Sequence, residues 1–317
     1  MRDKILLALV VPCYNEEDVL KETNYRLTSL LVEMIQEQLI QASSYILYVD
    51  DGSKDKTWEM IKDIYKQSEM VQGVKLSRNR GHQNALLAGL FTALNNCDAA
   101  ISIDADLQDD IRVIKEMVSR YRQGDEIVLG VRDNRDNDSI IKRGTAEAFY
   151  KVMKKLGTNT IKDHADFRLL SNRALQELKN YNEVNLFLRG LILELGFPTS
   201  CVYYQRQSRM AGVTKYSLFR MLNLALAGIT SFTIRPIRLI FIFGFIFSIL
   251  SLGFAVGIAI AAICGAFIGW LPIIYITLWF LTGLILMAIG IIGEYIGRNY
   301  FETKRRPRYI IEERLIH

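Results

Sequence analysis

The chain has 317 residues, of which 50% are hydrophobic and 23% are charged, and its formal net charge is +5. This charge is modest and no basic segment studded with aromatic residues is present, so a nucleic-acid partner is not expected. The four cysteines are scattered without paired spacing, which argues against a zinc site and is typical of reduced cytoplasmic thiols. The chain begins with charged residues and a strand-like run, which is not the pattern of a signal peptide.

Short apolar strands alternate with helical patterns over the first part of the chain. The predicted strands are residues 5–11, 45–49, 74–76, 99–103 and 127–131. The predicted helices are residues 17–41, 56–68, 83–95 and 111–122. Continuous apolar strands in this alternation predict an α/β fold, with a mostly parallel sheet that carries helices on both faces.

Polar clusters follow four of the predicted strands. They occupy residues 12–17, 50–57, 77–81 and 104–109. In open parallel sheets a ligand binds at the carboxyl ends of the strands. The four clusters therefore predict one shared site at that edge of the sheet.

Asp104 and Asp106 end the fourth strand one residue apart, with Gln108 close behind. Paired carboxylates repel each other, but they suit a hard cation such as Mg²⁺ or Mn²⁺, which takes oxygen ligands and keeps substrate phosphates in its shell. The motif predicts a metal-bound nucleotide diphosphate. Solvated acidic loop residues are the alternative.

Two further clusters offer ligand contacts. Asp50 and Asp51 end the second strand, where carboxylates can accept hydrogen bonds from a ribose or a base edge, although the same residues also form a common turn. Asp55 is expected to cap the following helix near Thr57. His82, at the start of the next helix, is expected to be structural rather than catalytic.

Arginine side chains later in the chain suit phosphate oxygens, or lie on the surface in solvent. Arg132, Arg135 and Arg143 follow the fifth strand. Asp166 and Arg168 begin another strand-like piece. A basic loop follows, able to cover a diphosphate or to bind anionic lipid, and it contains Arg206, Arg209, Gly212, Lys215 and Tyr216.

No charged residue occurs between Leu239 and Gly293. A bilayer span needs about 20 apolar residues, so this run predicts two transmembrane helices with a turn at residues 265–272. A buried hairpin of a soluble domain is the alternative. Basic residues flank both ends of the run, which predicts cytoplasmic termini. The pattern of residues 216–233 predicts amphipathic helices on the membrane surface, or helices that cover the sheet.

Five segments together resemble the family 2 glycosyltransferases, and within them the polyprenyl-phosphate (bactoprenol) glycosyltransferases with two C-terminal spans. The segments are residues 10–17, 49–57, 104–109, 166–170 and 209–216. The resemblance implies a GT-A type catalytic domain at residues 1–212, juxtamembrane helices at 213–237, two spans at 238–296 and a basic cytoplasmic tail at 297–317.

The resemblance also implies an activity, which is inverting transfer of glucose or N-acetylglucosamine from a UDP-sugar to undecaprenyl or another polyprenyl phosphate. It implies an Mg²⁺ or Mn²⁺ cofactor, contact with membrane lipids at the inner membrane, and a homotetramer. The lipid-linked sugar would serve glycosylation of the cell envelope. Two alternatives stay open, namely a GDP-mannose-dependent synthase and a non-catalytic protein that binds nucleotide sugars at the membrane.

The implied roles fall on particular positions. Nucleotide-sugar contacts fall on Pro12, Tyr14, Glu16, Asp50, Asp51, Arg80 and Asp104. Metal contacts fall on Asp104, Asp106 and Gln108. Lipid-phosphate contacts fall on Arg132, Arg143 and Arg168, and catalytic roles on Asp106, Asp166, Arg209 and Lys215.

Asp166 matches the position often proposed as the catalytic base. A phosphate monoester has a second pKa of about 6, so the acceptor is mostly dianionic at neutral pH and needs little help from a base. We therefore expect Asp166 to orient a substrate. The sequence departs from the family pattern at Asp110-Ile111, Ala165 and Val213-Thr214, where no charged or metal-binding group is lost.

Overall fold

The structure is a computed structural model that describes residues 3–133, 164–181, 188–205 and 271–317, with six isolated positions between 242 and 263. Its strands are β1 Leu7–Cys13, β2 Tyr45–Asp50, β3 Val71–Leu76, β4 Ala99–Ser102, β5 Ile127–Arg132, β6 His164–Ser171, β7 Thr199–Tyr204 and β8 Ile311–Leu315. Its helices are α1 Leu20–Gln36, α2 Thr57–Gln67, α3 His82–Ala93, α4 Val113–Gln123, α5 Asn172–Asn180, α6 Leu188–Glu194 and α7 Leu271–Lys304.

The strands form one eight-stranded sheet in the order β7-β5-β6-β4-β1-β2-β3-β8. β4, β1, β2 and β3 are parallel neighbours, as the alternation of strands and helices predicts. β6 lies antiparallel between β4 and β5, and β7 is parallel to β5. The mostly parallel mixed sheet therefore has its loops 14–19, 51–56, 77–81 and 103–112 at one edge.

Both faces of the sheet are covered by helices. α1, α2 and α4 pack on one face, where Leu27, Leu31 and Met34 of α1 recur at helical spacing and are fully buried. α3, α5 and α6 pack on the other face. α3 approaches β1 closely because Gly89 has no side chain, and a Cβ there would lie 2.3 Å from Cγ1 of Val10.

The predicted strands and helices are present, with shifted ends. The first helix begins at Leu20 rather than at residue 17, because the preceding residues form a loop in which Asn15 has a φ of 54°. The strand predicted at 74–76 spans Val71–Leu76. The strand-like piece at Asp166 is β6, whereas β7 and β8 have no counterpart among the predicted elements.

The last residues of the chain complete the sheet. β8 pairs antiparallel with β3, and Ser77 donates its backbone N–H to the carbonyl of Ile310 at 3.0 Å. The rings of Tyr65 and His317 stack with their centroids 4.2 Å apart. The segment 297–317, expected to be a basic cytoplasmic tail, therefore contributes a strand to the eight-stranded sheet.

α7 is 34 residues long, and its stretch Leu281–Lys304 is long and apolar enough to cross a membrane. It is the one such helix among the described residues. Its side chains Ile285, Met287 and Ile289 are more than half exposed, so no protein surface in the described part covers them. α7 coincides with the second predicted span but continues to Lys304, whereas the first predicted span and the helices expected at 213–237 lie outside the described residues.

Candidate active site

The loops that follow β2 and β3 are joined by Asp51. Its carboxylate accepts hydrogen bonds from the backbone N–H of Arg80 at 2.7 Å and of Gly81 at 2.8 Å. Its neighbour Asp50 accepts from the backbone N–H of Ser53 at 3.3 Å. Burial raises the pKa of both carboxyls, although these hydrogen bonds act in the opposite direction. The two predicted nucleotide contacts are thus held in a buried polar turn.

Gly52 is required at the centre of this turn. Its φ of +67° lies in the left-handed region, and a Cβ would lie 2.6 Å from the backbone carbon of Arg78. The turn after β2 therefore packs directly against the loop after β3.

The first motif is held against the same turn. Asn15 donates its backbone N–H to the Ser53 hydroxyl at 3.0 Å, and Glu16 donates to the Thr57 hydroxyl at 2.9 Å. Pro12 is buried within β1, whereas Tyr14 is 39% exposed. As expected, Asp55 accepts from the backbone N–H of Thr57 at the start of α2, at 3.0 Å.

Three buried polar atoms near the start of α3 have no hydrogen-bond partner within the described part of the chain. They are Nε of Arg80, Oε1 of Gln83 and Oδ1 of Asn84. Buried polar atoms in folded proteins are nearly always paired, so unpaired ones indicate a missing partner. A polar ligand bound next to the two loops that Asp51 joins would supply such partners.

Asp104 and Asp106 follow β4 in a loop whose Leu107 has a φ of 46°, an unusual conformation for a leucine. The backbone N–H of Gln108 donates to Asp106 at 3.3 Å, and the Gln108 side chain is buried. Partial burial raises the pKa of the Asp104 carboxyl, and the neighbouring carboxylates of Asp166, Asp109 and Asp106 add to that rise. A divalent cation would relieve this repulsion.

No group of three or more acidic, histidine or cysteine side chains in the described residues is arranged to hold a metal by itself. Mg²⁺ commonly binds proteins through one or two carboxylates and completes its shell with water and substrate phosphates. Asp104 and Asp106 fit that mode of binding, in which the nucleotide diphosphate supplies the other ligands.

Asp109, by contrast, is committed to other partners. It accepts hydrogen bonds from Arg132 at 3.0 Å and from the Tyr204 hydroxyl at 2.7 Å, and its side chain is 2% exposed. The guanidinium of Arg132, expected to bind a lipid phosphate, therefore already pairs with Asp109 and keeps 26% of its side chain exposed. Tyr204 lies on β7, a strand that no pattern in the sequence predicts.

Asp166 lies on β6 at the centre of a charged cluster. Its carboxylate pairs with Arg168 and with Arg189, whose Nη2 lies 3.2 Å from Oδ2. The imidazole Nε2 of His82 lies 3.7 Å from the same carboxylate and 3.6 Å from Asp104. Burial by itself would raise the pKa of Asp166, but the two guanidinium groups hold it well below its usual value.

The structure places Arg168 differently from the expected phosphate contact. Its side chain is fully buried, and its guanidinium is directed at Asp166. A phosphate on a lipid has no access to it in this arrangement. Arg189 and His82 instead line the Asp166 cluster, and no spacing in the sequence identifies Arg189. The predicted residues Arg143, Arg209 and Lys215 lie outside the described residues.

The chain is similar to known glycosyltransferases over most of its length. The model of the family described as "Glycosyl transferase family 2" matches residues 8–179. The uncharacterized glycosyltransferase YkoT of Bacillus subtilis is 51% identical over 97% of this chain and 91% of its own length. The bactoprenol glucosyl transferase of Shigella phage SfX is 38% identical over 97% of this chain and 99% of its own length.

A solved structure, glucosyl-3-phosphoglycerate synthase from Mycobacterium tuberculosis, aligns with a TM-score of 0.46 and 16% identity over 71% of this chain and 78% of that one. The family match covers β1 to α5, which include the Asp51, Asp104 and Asp166 clusters. The chain belongs to glycosyltransferase family 2.

Proposed function

We propose that the protein transfers glucose from UDP-glucose to a polyprenyl phosphate at the cytoplasmic face of the membrane. The observation that carries this proposal is the arrangement of His82 between Asp104 and Asp166, next to the turn that contains Asp51. Nε2 of His82 lies 3.6 Å from Asp104 and 3.7 Å from Asp166. This arrangement brings together the proposed cation ligand Asp104, the proposed nucleotide contact Asp51 and the fixed Asp166 carboxylate at one edge of the sheet. The apolar helix α7 supports an acceptor that resides in the membrane.

Full-length similarity to proteins named bactoprenol glucosyl transferase supports glucose as the sugar and bactoprenol phosphate as the acceptor. The relatives from Shigella phage SfX and from Shigella flexneri are each 38% identical over 97% of this chain. The donor nucleotide is proposed from the five motifs and the unpaired polar atoms near α3.

The reaction is a single displacement. An oxygen of the acceptor phosphate forms a bond to C1 of the sugar, the bond from C1 to the nucleotide diphosphate breaks, and UDP leaves from the opposite face. Asp104 and Asp106 would hold an Mg²⁺ or Mn²⁺ ion, which would neutralise charge on the departing diphosphate. Arg209 and Lys215 are proposed to contact the diphosphate.

Asp166 is proposed to orient a substrate rather than to remove a proton. A carboxylate whose pKa is well below its usual value is a weak base, and the acceptor dianion needs none. As a fixed acceptor of hydrogen bonds, Asp166 suits a sugar hydroxyl. Arg132 and Arg143 are proposed to contact the lipid phosphate.

The position of β8 supports a topology with two membrane crossings. β8 follows α7 and pairs with β3, so residues 311–315 lie on the same side of a membrane as the catalytic domain. A chain that leaves this domain after β7 and rejoins it at β8 crosses an even number of times. If α7 is one crossing, a second is proposed within residues 206–270, where the apolar run 239–265 provides it. The basic residues that flank the apolar run support a cytoplasmic location for the shared side.

The test is a transfer assay on the full-length protein in detergent. Undecaprenyl phosphate and Mn²⁺ are incubated with radiolabelled UDP-glucose, UDP-N-acetylglucosamine or GDP-mannose in parallel, and label is followed into the lipid fraction. We expect label from UDP-glucose, lost with EDTA and with Asp106→Ala. Asp63→Ala is the matched control, because Asp63 is exposed on α2 and pairs only weakly with Lys66 at 3.6 Å.

The other outcomes are informative. Label from UDP-N-acetylglucosamine alone would show that the proposed sugar is wrong. Label from GDP-mannose alone would show that both the proposed sugar and the proposed nucleotide are wrong. Absence of label from all three donors, with the protein folded, would contradict the transferase and favour a nucleotide-sugar-binding role.

A further inference from the structure

Asp166 is held by two arginines that come from different elements of the fold. Arg168 follows it on β6 and contacts Oδ1. Arg189, in the first turn of α6, contacts both oxygens, with Nε 3.3 Å from Oδ1 and Nη2 3.2 Å from Oδ2. A guanidinium that meets two oxygens of one carboxylate fixes its plane as well as its position.

The two arginines differ in what surrounds them. Arg168 is completely buried, and its Nε also lies 3.4 Å from the backbone carbonyl of Asp166. That carbonyl accepts a further hydrogen bond of 2.5 Å from the hydroxyl of Ser102. Ser102 and Arg168 thus hold the backbone carbonyl of Asp166, and Arg168 also holds Oδ1 of its carboxylate on the buried side. Arg189 is 36% exposed and contacts the outer side.

α6 gives Arg189 a rigid support. Leu188, Leu191 and Ile192 of this helix are buried in the same core as α3. Arg189 lies between these buried residues and is therefore held at a fixed distance from β6. Rigid elements position functional side chains more accurately than loops do.

One of the oxygens that Arg189 holds lies toward His82. Oδ2 of Asp166 contacts Nη2 of Arg189 at 3.2 Å and lies 3.7 Å from Nε2 of His82. His82 in turn lies 3.6 Å from Asp104, a candidate metal ligand. A change at Arg189 would therefore act on the carboxylate oxygen that lies beside His82.

We infer that Arg189 is a positioning residue for the transfer reaction, which fixes the Asp166 carboxylate with Oδ2 turned toward His82 and Asp104. The inference rests on the proposed function, because it assigns Arg189 a role in that reaction. In this role Arg189 acts through Asp166 rather than on a substrate. Its removal therefore changes turnover and leaves substrate affinity nearly as it is.

The test uses the full-length protein in detergent and four variants, namely Arg189→Gln, Arg189→Lys, Asp166→Asn and the double variant Asp166→Asn/Arg189→Gln. Glutamine loses the charge and the two-point contact, whereas lysine keeps the charge alone. Arg120→Gln is the matched control, since Arg120 is an exposed residue of α4 that pairs with Glu116. Thermal unfolding and gel filtration check that each variant folds.

We expect kcat of Arg189→Gln to fall roughly 10- to 100-fold, as misplacement of about 1 Å does in other enzymes, with both KM values within about twofold of wild type. Arg189→Lys should recover part of the loss. The double variant should lose less than the product of the two single losses, because the ion pair between Arg189 and the carboxylate is already absent in Asp166→Asn.

Three results would overturn the inference. In the first, the losses multiply in the double variant, so Arg189 acts independently of Asp166. In the second, the KM for the lipid acceptor rises while kcat is unchanged, so Arg189 binds the acceptor phosphate. In the third, Arg189→Gln retains full turnover. Failure of the proposed function is a separate result, in which the wild-type protein itself transfers no sugar.

Discussion

The indole Nε1 of Trp58 donates a 2.9 Å hydrogen bond to the carboxylate of Glu313, 255 positions further along the chain. Trp58 belongs to α2 and is 3% exposed, while Glu313 belongs to β8, beyond the apolar helix α7. The contact therefore joins α2 to the segment that follows the apolar helix α7. It makes the end of the chain part of the catalytic core.

Removal of residues 310–317 is expected to lower the melting temperature of the protein by roughly 5–10 °C. The deletion leaves the edge of β3 unpaired and uncovers Trp58, and loss of one or two buried apolar side chains costs about 1.5–3 kcal/mol each. Thermal unfolding in detergent measures the change. Glu312→Gln is the control, because it removes only the exposed pair with Lys75. Equal melting temperatures for the truncated and full-length proteins would contradict a structural role of β8.

Both ends of the chain are expected on the same side of the membrane, opposite to the turn at residues 265–272. The reason is the pairing of β8 with β3. A cysteine placed at Gly269, in a chain whose native cysteines are replaced by serine, should react with a membrane-impermeant maleimide in intact cells. A cysteine at His317 should react only after the cells are opened. Labelling of both positions in intact cells would refute the even number of crossings.

Asp104→Asn is expected to cost more turnover than Asp166→Asn. Loss of a metal-binding carboxylate weakens stabilisation of the departing diphosphate, and we expect a fall in kcat of about 10³-fold, equivalent to roughly 4 kcal/mol. Asp166→Asn should cost roughly 10²-fold or less, since the amide still accepts a hydrogen bond. Initial rates at saturating lipid and donor show which of the two variants loses more turnover. Equal losses with folding and binding intact would assign Asp166 a larger role, such as that of a base.

The contribution of Asp166 to stability is expected to depend on pH. The pKa of this carboxyl is lower in the folded protein than its unfolded value of about 3.9, because Arg168 and Arg189 favour the charged form. The stabilisation is therefore complete well above pH 4 and is lost as the pH falls toward the folded pKa. The melting temperature of Asp166→Asn should lie below that of the wild type at pH 7, and the gap should narrow below pH 4. A gap that is constant between pH 7 and pH 3 would be inconsistent with this ion pair.

Gly52→Ala is expected to raise the KM for the nucleotide sugar. A Cβ at Gly52 would lie 2.6 Å from the backbone of Arg78, which displaces the loop that Asp51 holds. Gly124→Ala is the control, because Gly124 has a φ of +122° but no atom within 4 Å of its added Cβ. Both variants should lose stability, since both need a positive φ. If KM rises equally in the two variants, the change does not come from the Asp51 loop.

Much of the architecture follows from local pattern. Apolar strands that alternate with helices specify the parallel core β4-β1-β2-β3, because burial on both faces favours continuous apolar runs. The same pattern brings Asp51 and Asp104 to one edge, since parallel strands end together. The ends of the elements are less well specified. α1 begins at Leu20 because Asn15 and Glu16 donate backbone hydrogen bonds to Ser53 and Thr57 on another loop.

The sequence by itself thus determined the α/β fold, the edge that carries the site, and the chemistry of its carboxylates, because these depend on residue type and short spacing. Only the tertiary structure decided which charges meet. It brought Asp166 into contact with Arg189, which lies 23 positions further along the chain, paired Arg132 with Asp109, and placed β8 at the edge of β3. Such contacts depend on how helices and strands pack, and no local periodicity specifies that packing.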